Sequence, residues 1–292
     1  MNDVRLAVDA DNHLGETPVW CDIAQVLWWV NCEHPAELHR WDPATDERRH
    51  WAMSQRIGGF VLAAEGRLLL ALADGVYDFD PANGALILRA RSPLPGHVPL
   101  HECRCDRQGR FWVGSFDQHF PADRNARGGC WFRLDGDLLT PVIEGISVAN
   151  ALAFSPDGRT IYLSDSPTRR VDAYDLDPAT GAISGARPFL SLGQGEGFVD
   201  GATVDAQGAY WLANVSAGAL RRYLPDGTLD RIIPLPFSNP TKPCFGGADL
   251  GTLFVTSTKM AMPTNISASA ENGGVYALVP GEIGISEPRV HG

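Results

Sequence analysis

Three side chains with oxygen donors occur at the starts of short apolar segments that lie far apart in the sequence. Glu16 lies between Leu-Gly and Thr-Pro-Val-Trp, Asn150 occurs in Val-Ala-Asn-Ala, and Asp200 occurs in Phe-Val-Asp-Gly. Carboxylate and amide oxygens are the ligands that calcium, magnesium and manganese prefer. Two carboxylates buried side by side cannot both ionise cheaply without a cation. If the fold brings these residues together, they predict a site for one divalent metal ion; otherwise each is an ordinary turn or capping residue.

Three further polar residues begin segments of the same kind. His101 and Glu102 start one apolar run, and Lys242 stands at the entry to the last one. An imidazole ligand would move the metal preference toward iron(II), zinc or manganese. His101 could equally donate a hydrogen bond to a substrate or be a packed core histidine. Lys242 could contact a polyhydroxylated ligand or only the solvent.

The elements that must position these side chains are short β-strands, because brief apolar runs recur and no segment has a convincing helical period. The predicted strands include Val26–Val30, Leu68–Leu72, Phe111–Gly114, Ile161–Ser164, Tyr210–Ala213 and Leu253–Ser257. All but the first follow turns whose closing glycines are 43, 49, 50 and 43 residues apart. A repeat of about 40 to 50 residues with four short strands is typical of β-propeller blades.

We therefore predict an all-β fold in which residues 1–292 form a single domain, a six-bladed β-propeller with one metal ion in the central channel. The blades begin near Gly15, Gly58, His101, Ala149, Asp200 and Pro243. The leading segment Val4–Ala10 is spare and would pair with the last blade, which closes the ring and removes exposed strand edges. The first strand of each blade lines the channel, so the polar residues named above would converge there. A pair of β-sandwiches or a solenoid fits the repeat length less well.

Charge and composition exclude several classes of function. The net charge of −11 disfavours nucleic acid and anionic membranes as partners, and no P-loop or Rossmann glycine motif follows a strand. The sequence has neither the features of a signal peptide nor a run of about 18 apolar residues. We expect a cytoplasmic protein, a monomer or weak dimer, with free thiols at its cysteines. The tail after Glu287 is expected to be loose.

Several motifs, in order and over nearly the whole chain, resemble the senescence marker protein/gluconolactonase/regucalcin-like family. They are the runs at residues 14–20, 105–114, 150–158, 200–201 and 241–247. The resemblance implies a six-bladed propeller with one divalent cation in its channel and, commonly, hydrolysis of aldonolactones. It also implies that the metal ligands are Glu16, Asn150 and Asp200, and that calcium is the default ion, with zinc, manganese or iron(II) as alternatives.

One stretch departs from the family pattern. Where the family usually has Arg-x-Asn-Asp, this chain has Pro99, Leu100, His101 and Glu102, so the usual substrate-binding arginine is replaced by Pro99. The choice of substrate is therefore open. The long insertion Phe116–Gly129 is predicted to form a mobile lid over the channel mouth.

The predicted activity is metal-dependent hydrolysis of a sugar-derived lactone, a small polyhydroxylated molecule, to its sugar acid. Asp200 would be the catalytic base, and His101, Glu102 and Lys242 would bind the substrate. Asp165, one strand further out, would support the loops around Asn150. The alternatives are a phosphotriesterase or other ester hydrolase on the same site, and a metal-binding scaffold without turnover.

Overall fold

The computed structural model describes residues 3–261 and 272–291 of the chain. Within these residues the strands form six four-stranded antiparallel sheets, each of which is one blade of a β-propeller. The all-β, six-bladed prediction is confirmed. That residues 1–292 form a single domain stays a prediction.

Blades 1 to 5 are meanders whose strands run outward from the channel in chain order, and blade 6 takes its outermost strand from the start of the chain. Blade 1 contains β2 (Gly15–Cys21), β3 (Val26–Asn31), β4 (Glu37–Asp42) and β5 (Glu47–Ala52). Blade 2 contains β6 (Ile57–Leu62), β7 (Leu68–Leu72), β8 (Gly75–Asp80) and β9 (Ala85–Arg91). Blade 3 contains β10 (Leu100–Cys105), β11 (Phe111–Ser115), β12 (Gly129–Asp135) and β13 (Leu138–Ile146).

The second half of the ring repeats this plan. Blade 4 contains β14 (Ala149–Phe154), β15 (Thr160–Asp165), β16 (Arg170–Leu176) and β17 (Ile183–Ser191). Blade 5 contains β18 (Phe198–Val204), β19 (Tyr210–Val215), β20 (Ala219–Tyr223) and β21 (Leu229–Pro234). Blade 6 contains β22 (Pro240–Gly246), β23 (Thr252–Ser257) and β24 (Val275–Leu278), and its outermost strand is β1 (Arg5–Val8), which pairs antiparallel with β24. Short 3₁₀ turns occupy Ala64–Gly66 and Ser166–Thr168.

The hydrophobic core lies between the blades. Each cluster of buried apolar side chains in the described residues combines two neighbouring blades, and the last of them joins blade 6 to blade 1. In that last cluster Trp20 of β2 stacks on Phe254 of β23, with ring centroids 5.8 Å apart. Because each blade buries both of its faces against its neighbours, the ring forms a continuous core around the channel.

The repeated turn of the sequence has a specific structure in blades 3 and 5. Asp106 accepts hydrogen bonds from the backbone N–H groups of Gln108 and Arg110 and from the indole Nε1 of Trp112, at 2.9, 2.9 and 3.1 Å. Asp205 binds the backbone N–H of Gln207 and the indole of Trp211 in the same way. The aspartate therefore fixes the turn between the first two strands of the blade and ties it to a core tryptophan.

The segment from Val279 to His291 crosses the lower end of the channel. The N–H groups of Gly284 and Val290 donate to Leu250 O and Leu62 O, in blades 6 and 2, and Arg289 binds the carboxylate of Asp22 at 2.7 Å in blade 1. The side chain of Val290 is buried. The expectation of a loose tail after Glu287 is therefore wrong, because backbone hydrogen bonds and an ion pair hold it to several blades.

The structure also bears on the state of the cysteines and on membrane-spanning helices. All the cysteines lie in the described residues, and each is a free thiol. Across residues 3–261 and 272–291, no helix is long and apolar enough to span a bilayer.

Candidate functional site

A cavity of about 210 Å³ opens at the upper end of the channel, where the inner strands begin. Its lining combines four of the residues singled out in the sequence with others that were not: Leu14, Glu16, Glu33, Arg56, His101, Phe116, Val148, Asn150, Asp200, Thr258 and Met260. The fold therefore brings together the predicted metal ligands and His101, although they come from different blades.

A β-bulge in each inner strand places these side chains. In β2, β10, β14 and β18, the register of pairing with the second strand of the same blade shifts at or just after Glu16, His101, Asn150 and Asp200. The register of β6 and β22 shifts at the same level of the channel. Thr17 and Ala151, which follow Glu16 and Asn150, have positive φ angles of 45° and 66°. Non-glycine residues rarely adopt this conformation, and bulges of this kind re-aim a side chain. Local backbone strain is thus located next to two of the predicted ligands.

The amide of Asn150 is oriented by a short chain of hydrogen bonds. Its Nδ2 donates to Ser166 Oγ at 2.9 Å, and that hydroxyl donates to Val199 O. Because the nitrogen is engaged with Ser166, the amide oxygen is the atom available to a ligand in the cavity. This is the arrangement that a metal ligand requires.

Glu16 and Asp200 are buried carboxylates of the same cavity. Burial raises the pKa of Glu16 to about 7, although Lys242 opposes this shift in part. Burial, reinforced by the charge on Glu16, raises the pKa of Asp200 well above its ordinary value. In the absence of a bound cation the two carboxylates therefore oppose each other's ionisation. A divalent ion between them would remove that conflict, so the donor set fits a hard cation.

His101 is kept neutral mainly by burial, and its tautomer is set by Arg56. The guanidinium Nη2 of Arg56 lies 3.2 Å from His101 Nδ1. A guanidinium can only donate, so Nδ1 is the acceptor and the ring proton is on Nε2. Burial, with added repulsion from Arg56 and Lys242, holds the pKa of His101 well below its usual range, so the ring is neutral. His101 is thus arranged as a hydrogen-bond donor, and it would have to change tautomer to ligate a metal through Nε2.

Arg56 and Glu33 are lining residues that the sequence did not predict, while Phe116 begins the insertion that was predicted to lie over the channel mouth. The guanidinium of Arg56 is mostly buried, donates to Leu100 O at 3.2 Å, and lies 4.7 Å from the centre of the Phe116 ring. Glu33 Oε2 lies 3.5 Å from Arg56 Nε. Arg56 lies one residue before the inner strand of blade 2, whereas the predicted site residues of the other blades are the second or third residue of their strands.

Glu102 and Lys242 form a buried ion pair beneath the cavity. Lys242 Nζ lies 2.7 Å from Glu102 Oε1, both side chains are almost fully buried, and Glu102 Oε2 accepts the N–H of Leu152 at 3.0 Å. Burial lowers the pKa of Lys242, but the neighbouring Glu102 raises it above its usual value. Gly201 makes room for the lysine, because a Cβ there would lie 2.5 Å from Lys242 Cγ. Lys242 is therefore not solvent-exposed, and direct contact of this pair with a substrate stays a prediction.

The loop before Asn150 is supported by Asp165, as predicted. Asp165 Oδ1 accepts the N–H groups of Ser147 and Val148 at 3.1 and 2.8 Å, and its Oδ2 accepts from Arg127 at 2.9 Å. Arg127 belongs to the insertion between β11 and β12. Asp165 therefore connects that insertion to the backbone that leads into Asn150. Phe116, the first residue of the insertion, lies at the cavity, and its ring is 5.2 Å from that of His101.

Comparison with known proteins places the whole arrangement in one family. Residues 14–259 match the family described as SMP-30/Gluconolactonase/LRE-like region. The chain belongs to this family. The match includes every predicted metal ligand and every strand of the propeller except β1 and β24.

Individual members of the SMP-30/gluconolactonase family resemble the chain over most of its length. It is 38% identical over 266 residues to 6-deoxy-6-sulfogluconolactonase of Pseudomonas putida, covering 89% of this chain and 88% of that one. It is 32% identical over 293 residues to L-arabinolactonase of Azospirillum brasilense, covering 98% and 95%. A crystal structure of a calcium-binding regucalcin from Agrobacterium tumefaciens superposes with a TM-score of 0.91 at 28% identity, covering 99% and 98%.

Proposed function

We propose that this protein hydrolyses a sugar-derived lactone to the sugar acid, using one divalent cation held by Glu16, Asn150 and Asp200. The observation that carries the proposal is the convergence of two buried carboxylates and an oriented amide in one open cavity. Relatives named as sugar lactonases that match most of the chain support the class of reaction. The calcium-binding regucalcin supports calcium as the first ion to test.

The cation would polarise the lactone carbonyl and stabilise the negative charge that develops on its oxygen. Asp200 is the proposed base, because a carboxylate has two oxygens and can ligate through one while the other accepts a proton from water. His101, with its proton on Nε2, would donate a hydrogen bond to the substrate. The opening of a cyclic ester needs no covalent intermediate with the protein in this scheme.

The substrate class follows from the polar groups that line the mouth of the cavity. Arg56 supplies a guanidinium from blade 2, in a chain that has Pro99 where the family usually has a substrate-binding arginine in blade 3. We propose that Arg56 takes over the recognition of substrate oxygens, together with Glu33 and His101. Aldonolactones are the proposed class, and the Pseudomonas putida relative makes a lactone with an anionic C6 substituent a specific candidate.

The test is the rate of acid release from a panel of aldono-1,4- and 1,5-lactones, with and without a C6 sulfonate. The full-length protein is stripped of metal and reloaded in turn with calcium, manganese, zinc or iron(II). The expected result is hydrolysis above the spontaneous rate that requires a metal and is abolished by Asp200→Ala. A phosphotriester and a simple carboxylic ester are included in the same panel.

Two results would overturn the proposal. Turnover of the phosphotriester or simple ester, with every lactone at its spontaneous rate, would identify a different hydrolase on the same site. Metal binding that raises the melting temperature without turnover of any member of the panel would indicate a binding scaffold.

A further inference from the structure

A second cluster of possible metal ligands lies outside the cavity, near the loops that border its mouth. It consists of His97, which precedes β10, and Asp117 and His119, which follow β11. One donor atom from each residue lies within 4.8 Å of the other two. The imidazole rings of His97 and His119 have their centroids 4.4 Å apart, and His119 Nδ1 lies 3.1 Å from Asp117 Oδ1.

Main-chain hydrogen bonds hold the two segments of this cluster together. Gln118 N donates to His97 O at 3.0 Å, and Asp117 N donates to Ser147 O at 2.8 Å. The carboxylate of Asp117 is buried and its Oδ2 accepts the N–H of Gly128 at 2.9 Å, while both imidazoles are exposed. The three donors are therefore preorganised on one side and open to solvent on the other, which leaves coordination positions for water.

We infer that His97, Asp117 and His119 form a second metal site, specific for a divalent transition metal such as zinc or cobalt. Two imidazoles and one carboxylate suit zinc, cobalt, nickel or iron(II) rather than calcium, which prefers oxygen ligands alone. None of these three residues is among the lining of the channel cavity. The site is therefore distinct from the one proposed for Glu16, Asn150 and Asp200, and it differs in metal preference.

Occupation of this site would stiffen the mouth of the cavity. Asp117 is adjacent to Phe116, whose ring contacts the guanidinium of Arg56 and lies beside that of His101. A metal ion that joins His97 to Asp117 and His119 would hold the start of the insertion against the loop between blades 2 and 3. The site would thus be structural, and its ion need not take part in the reaction.

The experiment is a titration of metal-stripped, full-length protein with Co²⁺, followed by visible absorption and by calorimetry. The channel site is first silenced by Glu16→Gln with Asp200→Asn, so that remaining uptake reports the second site. We expect that background to bind about one Co²⁺ per chain and to lose this binding when His97→Gln and His119→Gln are added. His50→Gln, an exposed histidine of β5, is the matched control and should leave the uptake unchanged.

Either of two results would overturn the inference. The first is that the Glu16→Gln, Asp200→Asn variant binds no Co²⁺ at concentrations that saturate the wild-type protein. The second is that adding His97→Gln and His119→Gln leaves the Co²⁺ binding of that variant unchanged. Asp117→Asn gives a second test, since it should weaken Co²⁺ binding while both imidazoles remain. Circular dichroism of each variant checks that the propeller is folded, and Zn²⁺ should raise the melting temperature only where His97 and His119 are intact.

Discussion

The upper and lower ends of the channel are built from the same inner strands but contain opposite arrangements of charge. At the upper end, Glu16 and Asp200 line an open cavity of about 210 Å³, where burial and the charge of Glu16 raise the pKa of Asp200. At the lower end, Arg104 is paired with Glu287 in a space of about 10 Å³, and it also donates to Ala202 O at 2.7 Å. The charge of Glu287 at the floor has a protein partner, whereas burial raises the pKa values of Glu16 and Asp200 at the mouth.

This difference predicts that the carboxylates at the two ends have opposite effects on the free energy of unfolding at neutral pH. Carboxylates whose folded pKa is raised destabilise the folded protein at neutral pH, while one whose pKa is lowered by a partner stabilises it. Burial raises the pKa of Glu287, but Arg104 lowers it more, so the net shift is below the ordinary value. The buried Glu102–Lys242 pair connects the two ends, since Lys242 lines the lower space and also opposes the rise in the pKa of Glu16 at the mouth. Substitutions at the mouth, at the buried Glu102–Lys242 pair and at the floor test this difference.

The largest expected effect is on catalysis at the mouth. Asp200→Asn should reduce kcat about 1000-fold, because it removes both the proposed base and a ligand charge. The same substitution should leave the metal-stripped protein as stable as the wild type or more stable, since a repelled buried carboxylate is lost. Activity assays and thermal unfolding without metal check both statements. A metal-stripped Asp200→Asn protein that unfolds well below the wild type would contradict the assigned repulsion.

The pH dependence of the metal-stripped wild type sharpens this prediction. Glu16 and Asp200 have folded pKa values above their unfolded values, so the folded state holds extra protons in the weakly acidic range. Their contribution to stability is present below the usual carboxyl range and is lost as the pH rises through the folded values, near 7 for Glu16. Asp200→Asn should flatten this decline, which unfolding curves between pH 4 and pH 8 would show.

The next largest effect is expected between the two ends. Lys242→Met should destabilise the protein by about 3 to 5 kcal/mol, because it leaves Glu102 buried without its cation. Adding Glu102→Gln should recover most of that loss. Chemical denaturation of the wild type, both single variants and the double variant gives the coupling energy. If Lys242→Met alone cost no more than an exposed lysine substitution, Glu102 and Lys242 would not be a coupled buried pair.

At the floor, Glu287→Gln should destabilise the protein by about 2 kcal/mol while lactone hydrolysis is retained. The contribution of Glu287 is present above its unfolded pKa and is lost as the pH falls through its lower folded pKa, opposite in sign to the mouth. The variant should therefore be less sensitive than the wild type to acid. Denaturation at neutral and acidic pH measures this, and an unchanged acid response would count against the pairing with Arg104.

The smallest effect is expected from Arg56→Lys. A lysine keeps the positive charge but loses the planar guanidinium that contacts His101 and Phe116, so we expect KM to rise about tenfold with a smaller change in kcat. The matched control is Arg48→Lys, an exposed arginine of β5. Steady-state kinetics on the lactone of the panel that is hydrolysed fastest measure this change. An unchanged KM would show that Arg56 does not recognise the substrate.

The repeats of the sequence were sufficient to predict the fold and the meeting of Glu16, His101, Asn150 and Asp200. Turn glycines at regular intervals mark where each inner strand ends, so its beginning lies one short strand earlier, and a closed ring brings those beginnings to one end of the channel. Local pattern is enough here because every blade obeys the same geometry. The exact direction of the side chains depends on the bulges, which no composition rule signals.

Contacts between distant segments were not predictable in this way. Lys242 was predicted to contact a substrate or only the solvent, because only the closed ring, which brings β10 of blade 3 and β22 of blade 6 to the same channel, shows that its partner is Glu102. Glu287 lies 183 residues from Arg104 in the sequence, so nothing local marks the pair. Arg56 was not predicted for a different reason, since the repeats place the start of blade 2 near Gly58, two residues beyond it.

The segment from Val279 to His291 has a consequence for how the protein is made. It is synthesised after every inner strand, yet its hydrogen bonds reach Leu62 and Gly109 in blades 2 and 3 as well as Leu250 in blade 6. A nascent chain on the ribosome can assemble blades in order, but its channel has no floor until this segment emerges. The floor can therefore form only after every inner strand has been made, and the lower end of the channel stays open until this segment folds against it.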